Sequence, residues 1–215
     1  MARLFDEKRG VMVTTSLKVL YSTLVYHEHL RLVREPSAMR LLLSGRVKRH
    51  VMFVRNPQNR LVSAWADKFL TYPRKLGHEE FRGWQRVQRL YLRHTGFPNW
   101  GSDEAIRDAL LTISFPEFVN HLPAVYWRDE HLQPQYWTMS IRYRGVIPIL
   151  PLRFDQTIRV EQMDAPALND ELGIDVVGVR CNVTEHPPAD ELFTPELESV
   201  VRRIYTRDFE RFGYE

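Results

Sequence analysis

Arg55 is the residue of this chain whose type and setting point most directly to chemistry. It follows His50-Val51-Met52-Phe53-Val54, a run with the uniform apolarity of a strand buried on both faces. Asn56 and Pro57 come next, a good N-cap and a residue suited to the first helical position. A guanidinium placed there can grip a phosphate through two hydrogen bonds, and the free N–H groups of the helix favour the same anion. Ser63, about two turns into that helix, adds a hydroxyl donor. The alternative for this pair is structural: an ion pair at Arg55 and a small packing residue at Ser63.

Thr14-Thr15-Ser16 form a second polar group, between the apolar run Val11-Met12-Val13 and the helically spaced Leu17, Leu20, Tyr21 and Leu24. Their hydroxyls and N–H groups either cradle a phosphate or cap the helix. Lys18, just inside that helix, would reach the same anion. This is not a Walker loop, because the glycines and the Gly-Lys-Ser/Thr ending are absent. Arg82, Arg86, Arg89 and Arg93 are spaced to share one helical face, which either docks an anionic acceptor or is a solvated basic surface.

The elements that must position these residues alternate between strand and helix. Helices are expected over 17–24, 57–69, 81–94, 115–122 and 164–172, the last ended by Gly173, with a strand over 157–161. A final helix opens at Thr194-Pro195, turns Leu197, Val201 and Tyr205 inward and stops near Gly213. Residues 144–151 and 179–191 read as irregular. The alternation predicts a single α/β domain over 1–215 with a central parallel sheet of roughly four or five strands flanked by helices. In such folds ligands bind at the carboxyl ends of strands, where both polar groups belong.

Composition narrows the classes further. With 44% hydrophobic and 27% charged residues over 215 positions, the chain has the make-up of a globular domain with a substantial core. Lys and Arg number 30 against 27 Asp and Glu, an excess too small to indicate a nucleic-acid binder. Cys181 is the single cysteine, so no intrachain disulfide and no multi-cysteine metal site can form. Residues 1–10 are charged and lack the apolar core of a signal peptide, and no apolar run reaches membrane-spanning length, so the chain reads as cytoplasmic.

Residues 54–65, Val-Arg-Asn-Pro-Gln-Asn-Arg-Leu-Val-Ser-Ala-Trp, resemble the 3′-phosphate-binding motif of the carbohydrate sulfotransferases, Arg-Asp/Glu-Pro, two variable residues and Arg-Leu-Val-Ser-Ala-Tyr. Phe115-Pro116-Glu117-Phe118, Asp129-Glu130-His131-Leu132-Gln133-Pro134-Gln135, Val160-Glu161 and the closing stretch from Tyr205 to Gly213-Tyr214 are similar to later motifs of that family, in the same order. The resemblance runs from near residue 11 to the end. It implies a P-loop-NTPase-like fold that binds 3′-phosphoadenosine 5′-phosphosulfate (PAPS) as co-substrate, without a metal, and moves its sulfuryl group to a hydroxyl of a carbohydrate or carbohydrate-containing acceptor.

The resemblance also implies roles. Arg55 and Ser63 would hold the 3′-phosphate, Thr14, Thr15 and Ser16 the 5′-phosphosulfate, and His131, which matches the family's signature histidine, is the candidate general base, the alternative being that it serves the acceptor or the fold. His27, Glu28 and His29, late in the first helix, are other candidates for the base. The family usually carries Pro-Lys at the start of the phosphosulfate loop, where this chain has Gly10-Val11, and Lys18, Lys8 or Arg9 are the available substitutes for that lysine. Two other functions remain open: a non-catalytic binder of PAP or PAPS, and another nucleotide-dependent transferase such as a kinase of related fold.

Overall fold

The computed structural model describes residues 2–97, 101–143, 147–173 and 186–215, so Cys181 lies outside the described residues. In chain order the elements are β1 (Ala2–Asp6), β2 (Val11–Thr15), α1 (Tyr21–Val25), β3 (Arg31–Leu32), α2 (Glu35–Leu43), β4 (Arg49–Val54) and α3 (Pro57–Trp65). A π-helical stretch (Ala66–Thr71) extends α3 and leads to α4 (Arg86–His94), α5 (Asp103–Leu111) and α6 (Phe115–Val125). Then follow β5 (Ser140–Tyr143), β6 (Ile147–Pro151), β7 (Gln156–Arg159), α7 (Ala165–Leu172), α8 (Ala189–Leu192) and α9 (Pro195–Phe212). They group into two compact units, Met1–Asn56 with Gln135–Val183 and Glu210–Glu215, and Pro57–Pro134 with Thr184–Phe209.

The first unit is built on a five-stranded sheet of order β3-β1-β2-β4-β7. β2, β4 and β7 are parallel, with Thr15 opposite Phe53 and Phe53 opposite Ile158. β1 pairs antiparallel with both β2 and β3, so β1 alone of these five strands runs against the others and the sheet is mostly parallel, as expected. Alternation of side chains explains the apolar run of β4. Val51 and Phe53 face a core with Leu4, Val13, Leu24 and Leu168, while Met52 and Val54 pack with Phe212, Tyr136 and Tyr214 on the opposite side.

Residues 2–6 read as a charged terminus, yet all five are buried in β1. Arg3 tolerates burial because its guanidinium donates to the carbonyls of Thr138 and Ser140 at 3.2 and 3.1 Å and pairs with Glu35. Asp6 accepts from the backbone N–H and Nη1 of Arg9 at 3.0 and 2.9 Å. The β1–β2 turn closes through Gly10 at φ 69°, where a Cβ would lie 3.0 Å from the Arg46 carbonyl oxygen, so the position favours glycine on both counts.

Three local expectations change. The first helix begins at Tyr21 rather than near 17, and Lys18 and Leu20 precede it with φ of 71° and 52°. Thr15 is not its cap: the hydroxyl donates to the Val19 carbonyl, which bends the chain back before any helix can start. His27, Glu28 and His29 therefore lie beyond α1 instead of within it. Residues 81–85 are not helical, because Gly83 takes φ 84° and Trp84 is anchored by a 2.7 Å bond from Nε1 to Asp103. Residues 147–151, read as irregular, pair with β5 as an antiparallel ribbon.

Other elements form where their local signals place them. Ser114 and Glu117 make a capping box on α6, Asp164 caps α7 by accepting from Ala167 at 3.1 Å, and Gly173 ends α7 with φ 64°. In the second unit Phe69, Tyr91 and Phe118 form an aromatic cluster with ring centroids 4.9–5.4 Å apart, and Tyr91 Oη donates to the Phe118 carbonyl at 2.9 Å. No helix among the described residues is long and apolar enough to cross a membrane.

His50, buried in β4, joins the sheet to the 14–16 segment. Its Nδ1 lies 3.0 Å from the Arg153 carbonyl and must carry the proton, so Nε2 accepts from the Thr14 hydroxyl at 2.8 Å. Burial pushes its pKa down to about 4, the Arg153 carbonyl and Asp155 opposing and Arg3 adding to the shift. The unfolded chain thus binds more protons between pH 6.5 and 4, so the His50 contribution is complete above pH 6.5 and falls by about 3 kcal/mol on acidification to pH 4. An imidazole NMR titration should place His50 near 4 in the folded protein; a midpoint near 6.5 contradicts this account.

Candidate functional site

β2 and β4 run parallel and in register, so the segments that leave their carboxyl ends, residues 16–20 and 55–56, emerge side by side. Arg55 Nη1 donates to the Lys18 carbonyl at 3.3 Å and ties the two segments together. The backbone of Arg55 is gripped by the buried carboxamide of Gln135, which accepts from its N–H at 2.9 Å and donates to its carbonyl at 2.6 Å. This prolongs the sheet's hydrogen bonding by one residue after strand pairing has ended. Glu161 then accepts from the Asn56 N–H at 2.7 Å and from the Tyr214 hydroxyl at 3.1 Å, and the Arg159 guanidinium covers the Tyr214 ring at 5.1 Å. Gln135, Glu161 and Tyr214 thereby bring three distant motifs to the segment that carries Arg55.

The three hydroxyls of the 14–16 run differ. Thr14 is bonded to His50, and Thr15 donates to backbone carbonyls of Ser16 and Val19. Ser16 Oγ is buried and has no hydrogen-bond partner among the described residues. An unsatisfied buried hydroxyl costs about 1–3 kcal/mol, so its presence beside Arg55 fits a polar ligand there. Lys18 and Leu20 take left-handed conformations two residues apart in the turn that follows Ser16. Holding non-glycine residues so costs roughly 1–2 kcal/mol each, strain of the sort concentrated at functional sites. These residues fit a phosphate group.

Lys8 and Arg9 lie before β2, at its amino end, about 16 Å of strand from Ser16. Arg9 is paired with Asp6 and lies against Gly173, where an added Cβ would collide with the Arg9 guanidinium. Both are thus set apart from the turn that carries Ser16. Val11, at the position of that lysine, is buried in β2. His27, Glu28 and His29 line a cleft of about 500 Å³ with Arg9 and Asp170, and not the edge that carries Ser16.

The second unit holds Ser63, His131 and the arginine stripe. Ser63 is buried within α3. His131 Nδ1 lies 2.7 Å from Asp129 Oδ1, which also accepts from the His131 backbone N–H at 2.9 Å. Burial alone would push the Asp129 carboxyl up, but the hydrogen bonds and charge of His131, with Arg86 beyond, hold it below the ordinary carboxylate value. A carboxylate on Nδ1 leaves Nε2 as the proton acceptor. Arg86, Arg89 and Arg93 share the exposed face of α4, while Arg82 precedes the helix and leaves the stripe. Among the described residues no three His, Cys, Asp or Glu side chains gather to hold a metal.

Arg60, Asp129, Gln135 and Glu161 escaped the sequence reading as individual residues. Arg60 had a usable signal: it shares the buried face of α3 with Pro57, Leu61 and Ala64, where a charge needs an explanation. The partners of Gln135 and Glu161 are 80 and 105 residues away in sequence, and no local pattern announces them. The family model of the sulfotransferase family matches residues 26–215. No curated protein and no solved structure matches the chain.

Replacing Gln135 by Leu should leave the N–H and carbonyl of Arg55 unpaired and lower stability by about 2–3 kcal/mol. Urea unfolding measures this, and a loss under about 0.5 kcal/mol would show that the clamp is replaceable.

Proposed function

Since the chain belongs to the sulfotransferase family, we propose that it takes the sulfuryl group of PAPS and transfers it to a hydroxyl of a carbohydrate or carbohydrate-containing acceptor. The observation that carries this reading is the buried Ser16 hydroxyl, unpartnered among the described residues, in a left-handed turn tied to Arg55. In it, Ser16, the 16–20 backbone and Lys18 receive the 5′-phosphosulfate, with Thr14 and Thr15 shaping the turn through bonds to His50 and Val19. Arg55 and Ser63 are the proposed ligands of the 3′-phosphate. The family match spans parts of both compact units, which supports one sulfotransferase domain of P-loop-like type. The single cysteine is consistent with a cytoplasmic location.

The chemistry asks two things of the chain. His131 Nε2, oriented by Asp129, removes the acceptor's hydroxyl proton as the oxygen attacks sulfur. Lys18 and the Ser16 hydroxyl stabilise the charge that builds on the departing phosphate as its bond to sulfur breaks. The exposed Arg86, Arg89 and Arg93 support an anionic acceptor. A second reading, a binder of PAP or PAPS that does not transfer, is favoured by the buried Val11 in place of the family's lysine.

Calorimetric titration with PAP, against ATP and AMP, should show selective PAP binding that weakens about 10–100-fold in Arg55→Ala. Absence of PAP binding by folded protein would remove the reading, and preferential ATP binding would replace it with a kinase-like one. With labelled PAPS and an acidic oligosaccharide, His131→Ala should lower kcat by roughly 10²–10⁴ while PAP affinity stays unchanged. PAP binding without transfer to any hydroxyl acceptor would instead support the non-catalytic binder.

A further inference from the structure

We propose that Arg60 and Tyr205 are positioning residues for His131, holding the backbone of its loop so that the imidazole is fixed as a proton acceptor. The inference rests on the reading of His131 as the base. Three consecutive carbonyls of that loop are each bonded by a buried side chain. Arg60 Nη1 donates to the His131 carbonyl at 3.1 Å and Nη2 to the Gln133 carbonyl at 2.8 Å. Tyr205 Oη donates to the Leu132 carbonyl between them. Both side chains are fully buried, and the Arg60 guanidinium lies 5.5 Å from the centre of the Tyr205 ring.

The N–H side of the loop is equally constrained. Asp129 takes the His131 N–H on its carboxylate, and its carbonyl accepts from Leu132 and Gln133, each at 3.0 Å. Both edges of 131–133 are therefore held, and χ1 and χ2 of His131 are set by the same Asp129 oxygen that holds its backbone.

Stability alone does not account for this arrangement. Arg60 occupies a core-facing position of α3, where an apolar residue of similar size avoids desolvating a charge, and its Nε is buried without a hydrogen bond among the described residues. What a guanidinium adds is a rigid planar fork whose two Nη groups each take one of two carbonyls two residues apart, a geometry that the single nitrogen of a flexible lysine does not fix. Tyr205 departs from helical geometry within α9, at φ −106° and ψ 20°, at the residue whose hydroxyl meets Leu132. Proton transfer in the transition state is sensitive to displacements of about an ångström, so a base on a loop needs such support.

The test compares wild type, Tyr205→Phe and Arg60→Lys, each alone and combined with His131→Ala. Tyr205→Phe removes one oxygen, so it keeps the proposal testable even if Arg60→Lys folds poorly. The single variants should lower kcat roughly 10–100-fold with KM for PAPS and PAP affinity unchanged. In the His131→Ala background the same substitutions should have no further effect on kcat. Imidazole NMR should show the single Nδ1–H tautomer of His131 in wild type giving way to a mixture in the variants. A loss of kcat that is equal in both backgrounds, a parallel loss of PAP affinity, or an unchanged tautomer would overturn the proposal. Failure of the base reading is recognised separately: there His131→Ala alone leaves kcat intact, whatever the tautomer does.

Discussion

β4 is packed on both faces and hydrogen-bonded on both edges, to β2 and to β7. Where that pairing stops, at Val54, the chain becomes half-buried, and the backbone groups that follow take side-chain partners in place of a neighbouring strand. Gln135 and Glu161 provide them for Arg55 and Asn56. The carboxyl end of a doubly covered strand is thus where segments from far along the chain meet. The candidate site occupies that place for this reason.

Buried polar groups in this protein serve mainly to define backbone positions. Arg3 binds carbonyls of Thr138 and Ser140, Arg60 those of His131 and Gln133, and Gln135 both polar groups of Arg55. Each bond adds little net stability, because water is given up to make it, but leaving one partner unmatched is costly. Such contacts therefore select one backbone arrangement over near alternatives more than they deepen its energy.

The 16–20 turn behaves in the opposite sense. It holds two non-glycine residues at positive φ and a buried hydroxyl without a partner among the described residues. Both features lower the stability of the fold, and the β2–β4 pairing beneath and the Val19 side chain in the core hold the turn in place against them. A ligand that satisfied the Ser16 hydroxyl would reverse part of this cost.

The sequence by itself determined the elements whose signals are local. The apolar run of β4, Pro57 at the head of α3, the Ser114–Glu117 box, and Asp164 and Gly173 at the ends of α7 depend on residues within a few positions of one another. The order of its motifs was likewise enough to indicate the family. The tertiary structure alone decided that Arg3 and Asp6 belong to a buried strand, that Lys18 precedes α1, that Arg82 leaves the arginine stripe, and that Thr14 binds His50 while Ser16 finds no partner among the described residues. For Arg3, Thr14 and Ser16 the outcome depends on a group that desolvation forces to find, or to lack, a partner distant in the chain. Periodicity and propensity carry no information about partners of that kind.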